Sequence, residues 1–161
     1  MSNASLQAQV AAQLRSAGLT IATAESSTGG MIATMLTDMP GSSAFMIGGV
    51  VAYANRAKRR LLSVDEQTLA EHGQVSEQVA REMAVGVRLL FGVDLGVAVT
   101  GIAGPDGATA TKPVGLTYVA LSAARGVWVR RFVWSGDRQQ NREQSANAGL
   151  QIVLDYLAGA L

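Results

Sequence analysis

Short apolar segments alternate with segments of helical periodicity along nearly the whole chain, and this alternation limits the possible folds more than any other feature. The last two apolar segments are joined at Arg125-Gly126 in the manner of a β-hairpin. About five strands covered by helices predict a single α/β domain with three layers, α/β/α, around a mixed sheet. The strand-like segments are residues 19–24, 45–54, 93–100, 114–123 and 127–134.

Local signals predict where several helices begin. Ser63 and Glu66 fit a capping box, and Asp137 pairs with Gln140 in a second one. Ser76 precedes a long helix, and residues 55–62 are typical of a short one. The long helix should bury one face, formed by Val79, Met83, Val87 and Leu90. The strand at 127–134 should turn three aromatic residues to one face of the sheet: Trp128, Phe132 and Trp134.

Composition excludes several classes of chemistry. The 161 residues suit one domain, taken as residues 1–161, in which the first four residues are interpreted as a cloning remnant or a disordered start. The chain has no cysteine, which excludes disulfides, thiolate catalysis and cysteine-ligated metals. One histidine leaves little material for a metal centre or a Ser-His-Asp triad. We therefore expect neither a metal nor a cofactor.

Charge and hydropathy give expectations about location and partners. The net charge is +1, so we expect no direct binding to nucleic acid. No apolar segment approaches the ~20 residues of a membrane span, and the start of the chain does not resemble a signal peptide. We therefore expect a cytoplasmic protein without a membrane partner. Compact α/β enzymes of this size often form dimers, so a homo-oligomer is expected.

Three glycine-containing segments are candidates for ligand contact: residues 25–30, Gly48-Gly49 and residues 100–107. The first and third follow apolar strands, at the positions where open α/β sheets bind ligands. Glycines let backbone N–H groups approach a ligand, and a helix beginning near Thr28 would add its positive dipole end. An anion site, most simply for a phosphate, is predicted, with plain turn formation as the alternative. The candidate contact residues are Gly29, Gly30, Gly48, Gly49, Gly101, Ile102, Ala103 and Gly104.

Three consecutive hydroxyl residues, Ser26, Ser27 and Thr28, stand where that helix should begin. Their ordinary role would be N-capping, which contributes ~1 kcal/mol. In the alternative role, one hydroxyl is a nucleophile and neighbouring N–H groups form an oxyanion hole. Such a nucleophile requires a base.

Lys58 is the candidate base. His72, the one histidine, is better explained by a structural role at a predicted helix end. Lys112 lies in a glycine- and proline-containing loop. Desolvation or nearby positive charge would lower the pKa of Lys58 enough for it to act as a base. The neighbouring cations are Arg56, Arg59 and Arg60. A solvated basic helix face, or a phosphate site made by the same cations, is the alternative.

Other charged residues lie near the candidate loops. Glu25 and Asp106 could orient Lys58 or a ribose hydroxyl, although cap and turn roles are the commoner ones. Arg138 and Arg142 are one turn apart at the start of the last predicted helix and could reach an anion, or lie on the surface.

Several motifs together resemble those of the CinA C-terminal domain family. The most specific is Thr23-Ala24-Glu25-Ser26-Ser27-Thr28-Gly29-Gly30, where the family has TAESCTGG. The resemblance covers about residues 5–160. The other motifs are Pro40-Gly41-Ser42-Ser43, Gly48-Gly49-Val50-Val51-Ala52-Tyr53-Ala54-Asn55, Lys58 with Leu61-Leu62, Glu71-His72-Gly73, Val99-Thr100-Gly101-Ile102-Ala103-Gly104-Pro105-Asp106-Gly107, Lys112-Pro113-Val114-Gly115 and Gly136-Asp137-Arg138.

The resemblance implies a three-layer α/β domain and nicotinamide-nucleotide amidohydrolase activity. That reaction converts nicotinamide mononucleotide to nicotinic acid mononucleotide and ammonia in pyridine-nucleotide salvage. The resemblance assigns the nucleophile to Ser26 and the base to Lys58, and it adds Tyr53 and Thr100 as catalytic residues. Ser27 stands where the family has cysteine, so a mechanism that needs a thiol there cannot operate in this chain.

The resulting hypothesis is a Ser26 nucleophile activated by neutral Lys58, with a mononucleotide as the small-molecule partner. Ser27 and Thr28 would line the substrate site, and Arg142 or the 101–107 loop would meet the phosphate. One alternative is a non-catalytic nucleotide- or partner-binding module, since the family name refers to competence and DNA damage. Another is an amidohydrolase for a different mononucleotide-like amide.

Overall fold

The computed structural model describes residues 4–161, so most of the segment interpreted as a cloning remnant lies outside the described part of the chain. Helices and strands alternate as the sequence predicts. In chain order the elements are α1 (Leu6–Ala17), β1 (Ile21–Glu25), α2 (Met31–Thr37), a 3₁₀ turn (Ser42–Ala44), β2 (Met46–Val51), α3 (Asn55–Leu62), α4 (Glu66–His72), α5 (Glu77–Phe91), β3 (Leu95–Gly101), β4 (Leu116–Ala123), β5 (Gly126–Val133) and α6 (Arg138–Leu157).

The five strands form one mixed sheet in the order β2-β1-β3-β4-β5. β1 is parallel to both β2 and β3, whereas β4 is antiparallel to β3 and β5. The predicted three-layer domain with a mixed five-stranded sheet is therefore confirmed, as is the hairpin between the last two strands. Because β1 and β3 are parallel neighbours, the loops after them meet at one end of the sheet.

Helices cover both faces of the sheet. One core contains Leu14 of α1, Leu36 of α2 and Leu150 of α6, and the other contains Leu62 of α3 and Met83 of α5. Within residues 4–161, no helix combines the length and hydrophobicity needed to cross a bilayer. Two aromatic residues of β5, Trp128 and Phe132, and Trp134 directly after it pack against the first core, as predicted.

The predicted helix starts agree with the structure at α3, α5 and α6, and differ at α4. Ser76 caps α5, and Asp137 with Gln140 forms the predicted capping box. Ser63 does not cap α4: its φ of 55° ends α3 in the left-handed region. The N-cap of α4 is Asp65, whose side chain accepts from the Gln67 N–H.

Two other predictions about helices are wrong. Leu90 is 51% exposed because it lies at the edge of the buried face of α5, near the end of the helix. α2 begins at Met31 instead of near Thr28, because Gly29 and Gly30 both take positive φ angles that interrupt helical geometry.

Glu25, the last residue of β1, joins that strand to the start of α2. Its carboxylate is buried, and Oε1 accepts hydrogen bonds from the Thr28 hydroxyl and the Ile32 N–H at 2.8 Å each. Oε2 accepts from the Ala33 N–H at 3.0 Å. A strand residue therefore provides the acceptors that the first turn of α2 lacks locally, and this fixes the intervening loop, residues 26–30.

Replacing Glu25 with glutamine should destabilise the domain. The new NH₂ group would face hydrogen-bond donors in a buried site, which costs about 1–3 kcal/mol of the free energy of unfolding. Urea denaturation would measure the change. The control is Glu66→Gln, because Glu66 is mostly exposed and pairs with Arg59 at the surface, where a loss of at most about 1 kcal/mol is expected. Equal losses in both variants would contradict the assigned role of Glu25.

Candidate active site

Ser26 and Lys58 are in direct contact at the end of the sheet. Ser26 follows β1, and its N–H donates to the Val99 carbonyl of β3 at 3.0 Å. Lys58 lies on α3, and its Nζ is 3.0 Å from the Ser26 Oγ. The lysine side chain is completely buried, with 0% exposure. The two residues are separated by 32 positions in sequence, and the parallel pairing of β1 with β2, which leads into α3, brings them together.

Two backbone carbonyls orient the Lys58 amine. Its Nζ donates to the carbonyl oxygens of Ala52 at 2.9 Å and Tyr53 at 3.0 Å, in addition to Ser26. A protonated amine has three N–H donors, so all three are used. Carbonyl oxygens can only accept, so after loss of one proton the two remaining N–H groups stay with them. The lone pair is then directed at the Ser26 hydroxyl, which becomes the donor.

Burial lowers the pKa of Lys58 from 10.5 to about 8, because the charged form is removed from water. The neighbouring arginines are not the cause of this shift. They lie on the solvent side of α3, where Arg56, Arg59 and Arg60 are all exposed. A minority of Lys58 is therefore already neutral near pH 7, and the neutral form predominates above about pH 8.

A small pocket of about 100 Å³ opens beside Ser26. Its lining includes Ser27, whose Oγ is buried and has no hydrogen-bond partner among residues 4–161. A buried hydroxyl without a partner is costly, so a ligand or water is expected to bind it. The residues that line the pocket are Ser26, Ser27, Tyr53, Gln74, Val75, Gly101, Ala103 and Arg138.

Gly101 keeps this pocket open. A Cβ at this position would lie 2.7 Å from Thr117 Oγ1 and 3.2 Å from Ser27 Oγ. Any larger residue would therefore displace its neighbours and crowd the Ser27 hydroxyl.

The backbone after Ser26 offers hydrogen-bond donors. Gly29 donates its N–H to the Ser26 carbonyl, whereas the N–H groups of Ser27 and Thr28 have no protein acceptor in the described chain. Both belong to the turn that leads into α2. N–H groups directly after a nucleophile are well placed to stabilise a developing oxyanion.

Part of the predicted site is brought together in the structure. Ser26 and Lys58 are joined by a hydrogen bond. The pocket beside Ser26 is also lined by Ser27, Tyr53, Gly101 and Ala103. The Tyr53 side chain is 61% exposed and lies at the pocket mouth.

Several predicted ligand contacts have other partners. The Thr100 hydroxyl donates to the Gln74 carbonyl at 2.7 Å, and the Thr28 hydroxyl donates to Glu25. Arg142 donates from Nε to the Ser27 carbonyl at 3.0 Å and from Nη2 to the Thr28 carbonyl at 3.2 Å, so it braces the loop. Thr100, Thr28 and Arg142 therefore hold the loops around the site through contacts with other protein groups. Ile102 and Gly104 do not line the pocket either.

The structure places four of the predicted glycine contacts away from the Ser26 pocket. A Cβ at Gly48 would meet the Phe91 ring at 2.4 Å, and one at Gly49 would meet Thr23 Oγ1 at 2.3 Å, so both glycines serve packing. Gly29 and Gly30 line a separate cavity of about 360 Å³ between α2 and α6.

Glu25 and Asp106 do not orient Lys58. The carboxylate of Glu25 is occupied by the start of α2, and Asp106 is exposed in its loop. His72 ends α4 as predicted and does not line the Ser26 pocket.

Sequence reasoning missed the wall formed by the loop between α4 and α5. Gln74 and Val75 line the pocket, and Lys112 holds this loop by donating to the carbonyls of His72 and Val75. No local pattern marks these residues, because the contact joins segments far apart in the chain. Arg138, considered above as an anion ligand or a surface residue, lines the pocket and donates to the Gly104 carbonyl at 2.7 Å.

Solved structures with the same fold cover almost the whole chain. The competence-damaged protein (CinA) superfamily protein of Klebsiella pneumoniae 700603 superposes with a TM-score of 0.92 at 34% identity, covering 96% of each chain. The competence/damage inducible protein CihA of Agrobacterium tumefaciens gives 0.89 at 39% identity, covering 98% of this chain and 99% of that one.

Sequence comparison leads to the same family. The CinA-like protein of Geotalea uraniireducens is 50% identical over 133 residues, which cover 83% of this chain and 32% of that protein. The chain thus spans about a third of the length of the curated relatives it matches. The family model of the CinA C-terminal domain matches residues 3–157. This chain belongs to the CinA C-terminal domain family.

Proposed function

We propose that this domain is a serine–lysine amidohydrolase that cleaves the carboxamide of nicotinamide mononucleotide. The observation that carries the proposal is the 3.0 Å contact between Lys58 Nζ and Ser26 Oγ, with the lysine fully buried. An amide hydrolase needs a nucleophile, a base and an oxyanion site. Ser26 and Ser27 line the pocket, and Lys58 contacts the Ser26 hydroxyl, which supports these roles. The choice of substrate follows from the family resemblance.

The first half of the reaction forms an acyl-enzyme. Neutral Lys58 accepts the Ser26 proton as Oγ attacks the carboxamide carbon, and the carbonyl oxygen becomes an oxyanion. The N–H groups of Ser27 and Thr28 stabilise this charge. Protonated Lys58 then gives its proton to the amide nitrogen, the C–N bond breaks, and ammonia leaves.

The second half hydrolyses the ester. Lys58, neutral again, accepts a proton from water, and the hydroxide equivalent attacks the acyl carbon. Collapse of the second tetrahedral intermediate returns the proton to Ser26 Oγ and releases the carboxylic acid. Because Ala52 and Tyr53 keep two N–H groups of Lys58 occupied, the same lone pair serves both halves.

The remaining contacts suit an anionic substrate with a small reactive end. A pocket of about 100 Å³ takes the amide-bearing part, and the rest of the molecule stays near the mouth at Tyr53. Arg138 lines the same pocket and offers guanidinium N–H groups to a phosphate.

Removal of either member of the pair should abolish activity. We expect Ser26→Ala and Lys58→Met each to lower kcat by at least ~10³, because members of a catalytic unit fail together. The measurement is ammonia release from nicotinamide mononucleotide. Ser27→Ala is the matched control: it removes the adjacent hydroxyl and should lose much less. A Ser26→Ala variant as active as the parent would refute the nucleophile assignment.

Alternative substrates separate this proposal from the other candidates. Nicotinamide and nicotinamide riboside lack the phosphate and should react poorly. No ammonia from any of the three compounds would favour a binding module, or an amidohydrolase for a different amide.

The rate should depend on the protonation of Lys58. Because the free enzyme must lose this proton before attack, kcat/KM should rise about tenfold per pH unit below the pKa and level off above about 8. Steady-state kinetics on both sides of this pH would measure the profile. A rate that stays constant through this range would argue against Lys58 as the base.

Stability gives a test that does not need a substrate. Between about pH 8 and 10.5 the unfolded chain keeps the Lys58 proton that the folded chain has lost, so the free energy of unfolding rises with pH. Relative to Lys58→Met, which does not titrate, the parent should gain about 3 kcal/mol across this range. Urea denaturation at several pH values would measure it, and a constant difference would show that the lysine is not desolvated.

A further inference from the structure

Three arginines lie on the solvent-exposed side of α3. Arg56, Arg59 and Arg60 are spaced i, i+3 and i+4, so they are neighbours on the surface of the helix. All three are exposed, whereas Lys58 of the same helix is turned into the core. One short helix thus presents its lysine to the candidate active site and three guanidinium groups to solvent.

This arrangement of charge opposes the stability of α3. Arg56 and Arg60 are like charges at i and i+4, and such pairs destabilise a helix. Arg56 also lies in the first turn, where the helix dipole disfavours a cation, and this turn contains no acidic residue. A bound anion would relieve both effects.

Two of the three arginines have no partner in the protein. Arg59 pairs with Glu66 at 2.9 Å, whereas Arg56 and Arg60 make no hydrogen bond, ion pair or cation–π contact within residues 4–161. Arg131 of β5 is the other arginine without such a contact in this range. The remaining arginines have partners: Arg15, Arg81, Arg88, Arg125, Arg130, Arg138 and Arg142.

The three arginines line a groove of about 690 Å³ between α3 and the first residue of α4. This volume lies in the range of small-molecule sites. The groove shares no lining residue with the Ser26 pocket. Ser63 adds a hydroxyl that makes no hydrogen bond in the described part of the chain. We call this surface the arginine groove, and its lining residues are Arg56, Arg59, Arg60, Ser63, Val64 and Glu66.

The charge of the arginine groove suits one phosphate group. Three guanidinium groups against one carboxylate give a net charge of +2, although the whole chain carries only +1. A phosphate monoester carries about −1.5 to −2 at neutral pH. Because Arg59 already holds the Glu66 carboxylate, the guanidinium groups of Arg56 and Arg60 are available to phosphate oxygens.

We propose that the arginine groove is a separate anion site, which binds a phosphorylated small molecule through Arg56 and Arg60. A guanidinium group can donate two parallel hydrogen bonds to one phosphate, which gives the contact a fixed geometry. The organic part of the ligand lies along the groove beside Ser63 and Val64. The ligand contacts α3 from the solvent side and does not enter the Ser26 pocket, so the proposal is independent of the proposed reaction.

The short extent of the basic surface favours a small molecule over a nucleic acid. The four-residue step from Arg56 to Arg60 covers about 6 Å along the helix axis. Proteins that bind duplex DNA strongly make about 6–10 phosphate contacts along the backbone. The net charge of +1 leaves little positive charge elsewhere on the chain to extend the surface.

A nuclear magnetic resonance titration of the ¹⁵N-labelled parent chain with ribose 5-phosphate tests the site. The backbone amide signals of Ser63, Val64 and Glu66 should shift and saturate, because these residues line the groove. Ribose, which lacks the phosphate, should leave them in place. The signals of Ser27 and Gly101 report separately on the Ser26 pocket, so binding there is distinguished from binding in the arginine groove.

Charge-removing variants identify the residues that hold the phosphate. Arg56→Gln and Arg60→Gln should each weaken binding at least ~10-fold, since each removes a hydrogen bond between charged groups. Arg131→Gln is the matched control, because it removes the same charge from an exposed arginine that also lacks a partner within residues 4–161. Its affinity should stay within about twofold of the parent's, because salt screens a distant charge.

Four outcomes would overturn the proposal. They are no shift of the groove signals, equal shifts with ribose, an equal loss of affinity in Arg131→Gln, and tighter binding of single-stranded DNA than of ribose 5-phosphate at the same amides. The last outcome would assign the surface to a nucleic acid instead.

Discussion

The folded chain removes the Lys58 amine from water, and the organisation of the site depends on this burial. An amine without solvent must find its acceptors within the protein, and this one finds two carbonyls and the Ser26 hydroxyl. The same burial lowers the pKa of Lys58 to about 8, so the group can exchange a proton near neutral pH. The cost of desolvating a charge and the capacity to act as a base thus have one physical origin.

The surrounding contacts hold the partner of this lysine in place. The loop of residues 26–30 is fixed from three directions: Glu25 accepts from the start of α2, Arg142 donates to the loop carbonyls, and Ser26 donates its N–H to β3. Most polar groups near the pocket are hydrogen-bonded to protein, and within residues 4–161 Ser27 Oγ is the buried polar side-chain atom without a partner. This contrast separates groups that build the site from a group that is available to a ligand.

Local sequence signals predict much of the fold but less of the candidate site. The helix at Asn55–Leu62 and the capping box at Asp137 follow from short-range patterns, and the structure has both. Ser63 was wrongly predicted to cap α4. Its positive φ is set by the end of the preceding helix, which lies outside the four-residue capping motif. Gln74 and Val75 could not be predicted as pocket residues, since Thr100 and Lys112 place them through contacts between distant segments. Residue types alone marked the hydroxyl cluster and Lys58 as candidates, and the family motif then selected Ser26 within the cluster. The catalytic assignment of both residues stays a prediction.

Two of the three acceptors of Lys58 are main-chain atoms, at Ala52 and Tyr53. The exposed side chain of Tyr53 can therefore change without removing the carbonyl that holds the amine, whereas the Ala52 side chain is fully buried in the core. The direction of the lone pair is encoded in the path of the backbone, whereas the outline of the pocket is encoded in side chains that can vary. Substitutions that reshape the pocket can thus leave the contact between Lys58 and Ser26 in place.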